Sequence, residues 1–191
     1  MRHLVVSMNL TLNGFMAASD GGLSWHTDFW DDEIAQAFTL QLAGADTLLL
    51  GRKTYEAMAP YWRSIAENVN PPRHDADFND LMLRHEKVIF SRTLTRAAGW
   101  GNCRLANRNI AKEIESLKMG NGKELLIYGS GKLVTSLARL NLINEYRLWV
   151  HPVAIQKGRS FLGEFKELPH IKLSSSKKFS SGVVLMCYKA G

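Results

Sequence analysis

Short apolar runs rich in leucine, isoleucine and valine alternate along this chain with stretches whose apolar residues recur every three or four positions. "DDEIAQAFTLQLAGA" (31–45) opens with acidic residues, spaces Ile34, Ala37, Phe38 and Leu42 as one helical face, and ends at Gly44. It leads directly into the strand-like "DTLLLG" (46–51), which gives way to a further helix. The exchange repeats through "KVIFS", then "NIAKEIESLKMGNG" followed by "ELLIYGSG", and "KLVTSLARLNL" followed by "EYRLWVHPV". Strands alternating with helices call for a largely parallel sheet covered on both faces. The expected architecture is therefore a three-layer α/β sandwich.

The two ends of the chain complete this picture. "HLVVSMNLTLNGFMA" reads as an opening strand with a turn at Asn13-Gly14, and "KLSSSKKFSSGVVLMCYK" as a closing antiparallel hairpin around Ser181-Gly182. Asp77 and Asp80 mark a helix start for "FNDLMLRH", and "NCRLA" reads as a short strand. The polar stretch with Pro71-Pro72 reads as a surface insertion, since core-like segments resume after it, so residues 1–191 form one expected domain.

Composition narrows the function classes. "LVVSM" is too short for a signal-peptide core, and no run approaches the ~20 apolar residues of a membrane span. Cys103 and Cys187 are too few for a disulfide framework. The expectation is a soluble, cytoplasmic protein. A net charge of +6 comes from scattered cations, the longest basic runs being pairs such as Arg52-Lys53 and Lys177-Lys178. That pattern argues against nucleic acid and suits either a small anionic ligand or a basic surface that merely aids solubility. The histidines show no zinc-like spacing with one another or with the cysteines, so no metal is expected.

Three strand ends carry the residues that a phosphate needs. A helix start offers unpaired N–H groups and partial positive charge, and glycine admits an anion close to the backbone. Gly51, Arg52, Lys53 and Thr54 follow one strand; Ser91, Arg92 and Thr93 end a second; Gly129, Ser130, Gly131, Lys132 and Leu133 end a third and open a helix. Neither G-x-x-x-x-G-K-[ST] nor an opening G-x-G-x-x-G occurs, so a dinucleotide held in another way is expected. Ser130 between glycines reads as a phosphate donor or turn residue, not as a nucleophile, because no G-x-S-x-G elbow is present.

"MNLTLNGFMA", "LLLGRKTYEAM", "VIFSRTL", "LIYGSGKLVTSL" and "LINEYRLWVHPVAIQKGRSFL", in this order and spacing, resemble the dihydrofolate reductase-like family and especially its riboflavin-biosynthesis reductase branch. The resemblance spans nearly the whole chain. It implies a mostly parallel sheet with antiparallel C-terminal strands, NADPH as hydride donor, a small heterocyclic substrate and, since members often pair, a homodimer. It places Gly51 to Thr54 on the pyrophosphate and adjoining ribose, Ser91 and Arg92 at the adenosine 2′-phosphate, and Gly129 to Lys132 on the other phosphate side, with Thr93 and Leu133 as further cofactor contacts. The most specific expected activity is that of a 5-amino-6-(5-phosphoribosylamino)uracil reductase. The alternatives are reduction of dihydrofolate or another pterin or heterocycle, and a nucleotide-binding module without catalysis.

Two positions depart from the family pattern: Ser130 stands where dihydrofolate reductases carry the second glycine of a cis pair, and Asn13 where many relatives of this branch carry aspartate. The resemblance lays the first strand and "TLNGFMAASDGGLSW" along the nicotinamide, with Gly21-Gly22 as a hinge. Asn13, Asp20 and Asp32 are the expected catalytic residues, and Trp25, Tyr61 and Arg159 the expected substrate contacts, with Lys157 a further candidate for a substrate phosphate. Acidic residues at 31–33 are also what a helix start favours, and Tyr61 and Trp62 are also what a core would use.

Overall fold

In the computed structural model residues 1–67, 76–107, 109–166 and 170–191 are described. Pro71-Pro72 lies outside them. The strands are β1 (Leu4–Thr11), β2 (Phe15–Ala18), β3 (Ala45–Gly51), β4 (Glu86–Phe90), β5 (Cys103–Leu105), β6 (Glu124–Tyr128), β7 (Glu145–His151), β8 (Gly158–Ser160), β9 (Ile171–Lys178) and β10 (Val184–Ala190). The helices are α1 (Asp32–Ala43), α2 (Arg52–Glu67), α3 (Ala76–Arg84), α4 (Ile110–Met119) and α5 (Gly131–Ala138), with single 3-10 turns at Ser24–Phe29 and Leu162–Glu164.

Eight strands form one sheet in the order β5-β4-β3-β6-β1-β7-β10-β9. The pairings are parallel from β5 to β7 and antiparallel at β7–β10 and β10–β9. This is the expected α/β architecture with its antiparallel C-terminal edge. Alternation sorts the strand residues between two cores. Val5, Leu48, Leu50 and Leu126 pack with Ile34, Phe38 and Leu42 of α1, Tyr55 and Trp62 of α2, and Phe78 and Met82 of α3. Leu4, Val6, Leu49 and Leu125 pack on the other face with Ile114 of α4 and Leu133, Val134 and Leu137 of α5. Each such buried side chain contributes roughly 1.5–3 kcal/mol of transfer free energy.

Local chemistry sets the element ends. Asp31 caps α1 by accepting the Ile34 N–H at 2.8 Å, and Asn109 caps α4 by accepting the Lys112 N–H at 3.1 Å. The helix after Gly51 runs sixteen residues and passes through Pro60. The sequence reading also missed the separate two-stranded sheet in which β2 pairs antiparallel with β8. Strands of four and three residues are too short to show an alternation. No helix among the described residues is long and apolar enough to cross a membrane, and Cys103 and Cys187 are unpaired.

Lys87 is fully buried in β4. Its ammonium donates to the Met82 and Leu83 carbonyls at 3.1 and 2.8 Å, near the end of α3, and lies 5.1 Å from the centroid of a Trp100 ring. Burial pulls its pKa down to about 8. The fold thus favours the neutral amine, so this residue's contribution to stability is complete above the unfolded-state value of about 10.4. It is lost as the pH falls through about 8. Lys87→Met removes the dependence: between roughly pH 7 and pH 10 the wild type is expected to gain about 3 kcal/mol on the variant. Urea unfolding of both proteins across that range checks this, and a constant difference would refute it.

Candidate functional site

β4, β3 and β6 are neighbours running in the same direction, so their carboxyl ends reach one edge of the sheet together. All three phosphate-like turns end up there. Gly51 to Thr54, Ser91 to Thr93 and Gly129 to Leu133 line a single cleft of about 1690 Å³. Pockets for one small ligand are commonly ~300–1,000 Å³, so this cleft has room for a dinucleotide and a second molecule.

The turns are shaped to admit something close to the backbone. Ser91 Oγ accepts the N–H groups of Thr93 and Leu94 at 3.1 and 2.9 Å, forming a tight turn that leaves Arg92 exposed in the cleft wall. Gly129 and Ser130 both have positive φ, 87° and 89°, and the peptide between them is trans. A side chain on Gly51 would run into Ser130, its Cβ falling 2.7 Å from the Ser130 Cβ. α2 and α5 both begin at the cleft, bringing unpaired N–H groups to it. Of the cations there, Arg52 pairs with Glu56 at 2.9 Å and Arg159 with Glu164 at 3.1 Å. Lys53, Arg92 and Lys132 have no carboxylate partner among the described residues.

The wall formed by α1, α2 and α3 is apolar and aromatic. Trp30, Phe38, Met58, Tyr61, Trp62 and Phe78 line it, with the Trp30 ring 5.2 Å from Phe38 and 5.4 Å from Phe78. Tyr128 contributes a phenol that burial pushes above its usual pKa range, so it stays protonated. Among the described residues no three His, Cys, Asp or Glu side chains gather as a metal site requires.

The model of the RibD C-terminal domain matches residues 2–185. The chain belongs to the RibD C-terminal domain family. A similar relative is the Bacillus subtilis (strain 168) protein named "Uncharacterized protein YyaP", 30% identical over 187 residues, with 98% of this chain and 94% of the relative covered. A Thermotoga maritima structure, described as a diaminohydroxyphosphoribosylaminopyrimidine deaminase/5-amino-6-(5-phosphoribosylamino)uracil reductase, superposes with a TM-score of 0.68 at 15% identity, covering all of this chain and 57% of that one. Dihydrofolate reductase from Enterococcus faecalis, complexed with NADP(H), superposes with a TM-score of 0.64 at 12% identity, covering 99% of this chain and 96% of that one. At these identities the two structures establish the shared fold.

Within this RibD-like frame the residues expected at the reducing end separate. Asp20, Tyr61 and Arg159 line the cleft, whereas Asn13, Trp25 and Asp32 do not. Asn13 is occupied in its turn, where its Oδ1 accepts the Thr11 hydroxyl at 2.8 Å and its Nδ2 donates to the Ile155 carbonyl at 2.8 Å. Asp32 lies exposed in the first turn of α1. Its neighbours are used structurally: Asp31 is the cap, and Glu33 accepts the Ser180 N–H and hydroxyl, both at 2.9 Å, tying the closing hairpin to α1. Those bonds hold the Glu33 pKa below the usual range. Trp25 packs edge-on against His151, with ring centroids 5.3 Å apart. Lys157 is exposed and outside the cleft lining, and Trp62 stacks on Trp100 at 5.8 Å as a core residue.

Sequence reasoning missed other cleft residues, chiefly Asn9, His26, Trp30 and Tyr128. Asn9 and Tyr128 are hidden in apolar strand runs. His26 lies within the 3-10 helix Ser24–Phe29 and Trp30 caps its end, an element for which the sequence offers no periodic signal.

Proposed function

We propose that this protein is an NADPH-dependent reductase that delivers hydride to a small heterocycle, most specifically in the manner of a 5-amino-6-(5-phosphoribosylamino)uracil reductase. One observation supports this most: three adjacent parallel strand ends place Lys53, Arg92 and Lys132, without carboxylate partners among the described residues, around glycine turns in one cleft. That arrangement fits the residues to a ligand with several phosphates. Gly51, Arg52, Lys53 and Thr54 would hold the pyrophosphate side, Ser91, Arg92 and Thr93 the 2′-phosphate, and Gly129 to Leu133 the remaining phosphate edge. The bound cofactor supplies the hydride; the chain supplies position and a pocket from which water is displaced. Asp20 and Arg159 remain the proposed polar contacts at the substrate end, with Tyr61 as a ring against which the substrate stacks.

The aromatic wall favours a second reading within the same class. Trp30, Phe38 and Phe78 suit a flat ring, and Arg159, the cleft cation nearest the small β2–β8 sheet, is already paired with Glu164. A pterin or another unphosphorylated heterocycle meets those terms. Calorimetric titration with NADPH, followed by the decay of its absorbance with the phosphoribosylaminouracil and with dihydrofolate in parallel, tests both. Turnover of the first compound supports the specific reading, turnover of the second alone moves the assignment to the second reading, and no heat with NADPH removes both.

A further inference from the structure

Beside the cleft, three packed aromatic rings carry buried nitrogen atoms that have no hydrogen-bond partner among the described residues. Trp25 Nε1, His26 Nδ1 and His151 Nδ1 are buried and unpaired. Their rings form a triangle with centroid separations of 5.6, 5.3 and 5.9 Å. His151, 3% exposed, ends β7 opposite Thr11 of β1, and its Nε2 lies 3.1 Å from Asn9 Oδ1. With the amide oxygen as acceptor, Nε2 carries the hydrogen and Nδ1 is a bare acceptor. The indole nitrogen can only donate. A buried water usually makes about three hydrogen bonds, and these atoms offer that number. It would accept from Trp25 Nε1–H and His26 Nδ1–H and donate to His151 Nδ1.

His26 is the one member of this triangle that also lines the cleft. Its Nδ1 is shut inside, while its Nε2 is not among the buried unpaired atoms, so Nε2 is the nitrogen left to meet a ligand. Reduction of a C=N bond by hydride needs one proton, and the other cleft groups are poorly suited to give it. Arg52 and Arg159 hold ion pairs, and Asp20 accepts the Gly22 N–H at 2.7 Å in an exposed turn. Tyr128 is held protonated by burial, and Lys53, Arg92 and Lys132 belong to the phosphate wall.

We propose that His26 donates the proton of the reduction from Nε2, with His151 and Trp25 as positioning residues acting through a shared buried water. The proposal rests on the reductase reading above. The acceptor carbon takes the hydride with its electron pair from reduced nicotinamide. The π pair of the C=N bond moves to nitrogen, and that nitrogen takes the proton from the His26 imidazolium. The substrate gains two electrons, and His26 recovers a proton from solvent. Burial lowers the His26 pKa, and it lowers that of His151 to about 4, with His26 adding repulsion. Among the described residues no carboxylate or cation pairs with His26; Asp20 from the preceding loop and Arg159 from β8 share its cleft, and His151 from β7 is the titratable ring against it. The imidazolium therefore accumulates only as the pH falls below the ordinary histidine value of about 6.5, and kcat/KM should rise over that interval.

Histidine NMR of the free protein is the readout that does not need turnover. His26 is expected to titrate below about 6.5, and both His151→Phe and the milder Trp25→Phe should shift that titration. With whichever acceptor is reduced, His26→Gln is expected to lower kcat/KM by about 100-fold and flatten its pH dependence, while NADPH affinity in calorimetry stays unchanged. A His26 titration at or above 6.5 that ignores both partner substitutions overturns the proposal, as does a His26→Gln enzyme that keeps the wild-type pH profile. Absence of NADPH binding would instead defeat the reductase reading, leaving the NMR result to decide whether the triangle exists.

Discussion

NADPH binding is expected to weaken by about 10- to 100-fold when Arg92 is replaced by alanine, while NADH binding changes by less than about threefold. The two cofactors differ only in the 2′-phosphate, and a guanidinium grips phosphate by charge-assisted, bidentate hydrogen bonds worth roughly 1.5–3 kcal/mol. Arg92 is suited to that contact because Ser91 spends its own hydroxyl on the turn, accepting the N–H groups of Thr93 and Leu94 and leaving the guanidinium exposed, without a carboxylate partner among the described residues. Isothermal titration of both cofactors into both proteins checks the prediction. Equal losses for the two would show that Arg92 does not meet the 2′-phosphate.

Gly51→Ala tests a different element of the same grip. A methyl group at that position would fall 2.7 Å from the Ser130 Cβ, so β3 and the turn opening α5 must move apart. Overpacking of this kind costs about 1–3 kcal/mol in stability. The loss of NADPH affinity should be about tenfold or more, because the displaced turn carries N–H groups that would face the cofactor's phosphates. Adding Ser130→Gly removes the obstructing side chain and is expected to restore most of both losses. A double variant no better than the single one, by urea unfolding and by titration, would show that the Gly51–Ser130 approach is not the cause.

The sheet and the three turns that share the cleft could be read from sequence because each leaves a local mark. The apolar runs 47–50, 87–90 and 124–128 are long enough to be recognised as strands, and Gly51, Ser91 and Gly129 sit at their ends. Parallel order then obliges neighbouring ends to meet. The rest of the cleft leaves no such mark. Its lining comes from single residues on separate elements: Asn9 on β1, His26 in a 3-10 turn, Phe38 on α1 and Arg159 on β8. Only the folded chain brings them together. Asp32, which does not line the cleft, is ambiguous in sequence for a related reason. A carboxylate at a helix start looks the same whether it serves as cap, tether or catalyst, and here Asp31 and Glu33 take the first two roles. Asn13 likewise resembles a site residue in sequence but is consumed by its bonds to Thr11 and Ile155.

The small β2–β8 sheet joins the turn after β1 to the segment after β7, and apart from Met16 its residues stand outside both cores. Mutations there leave most of the folding free energy untouched while altering the cleft wall to which Ala17 and Arg159 contribute. In evolutionary terms this is a detachable palette: a lineage can vary one wall of the cleft along β2 and β8 while the eight-stranded sheet is inherited intact.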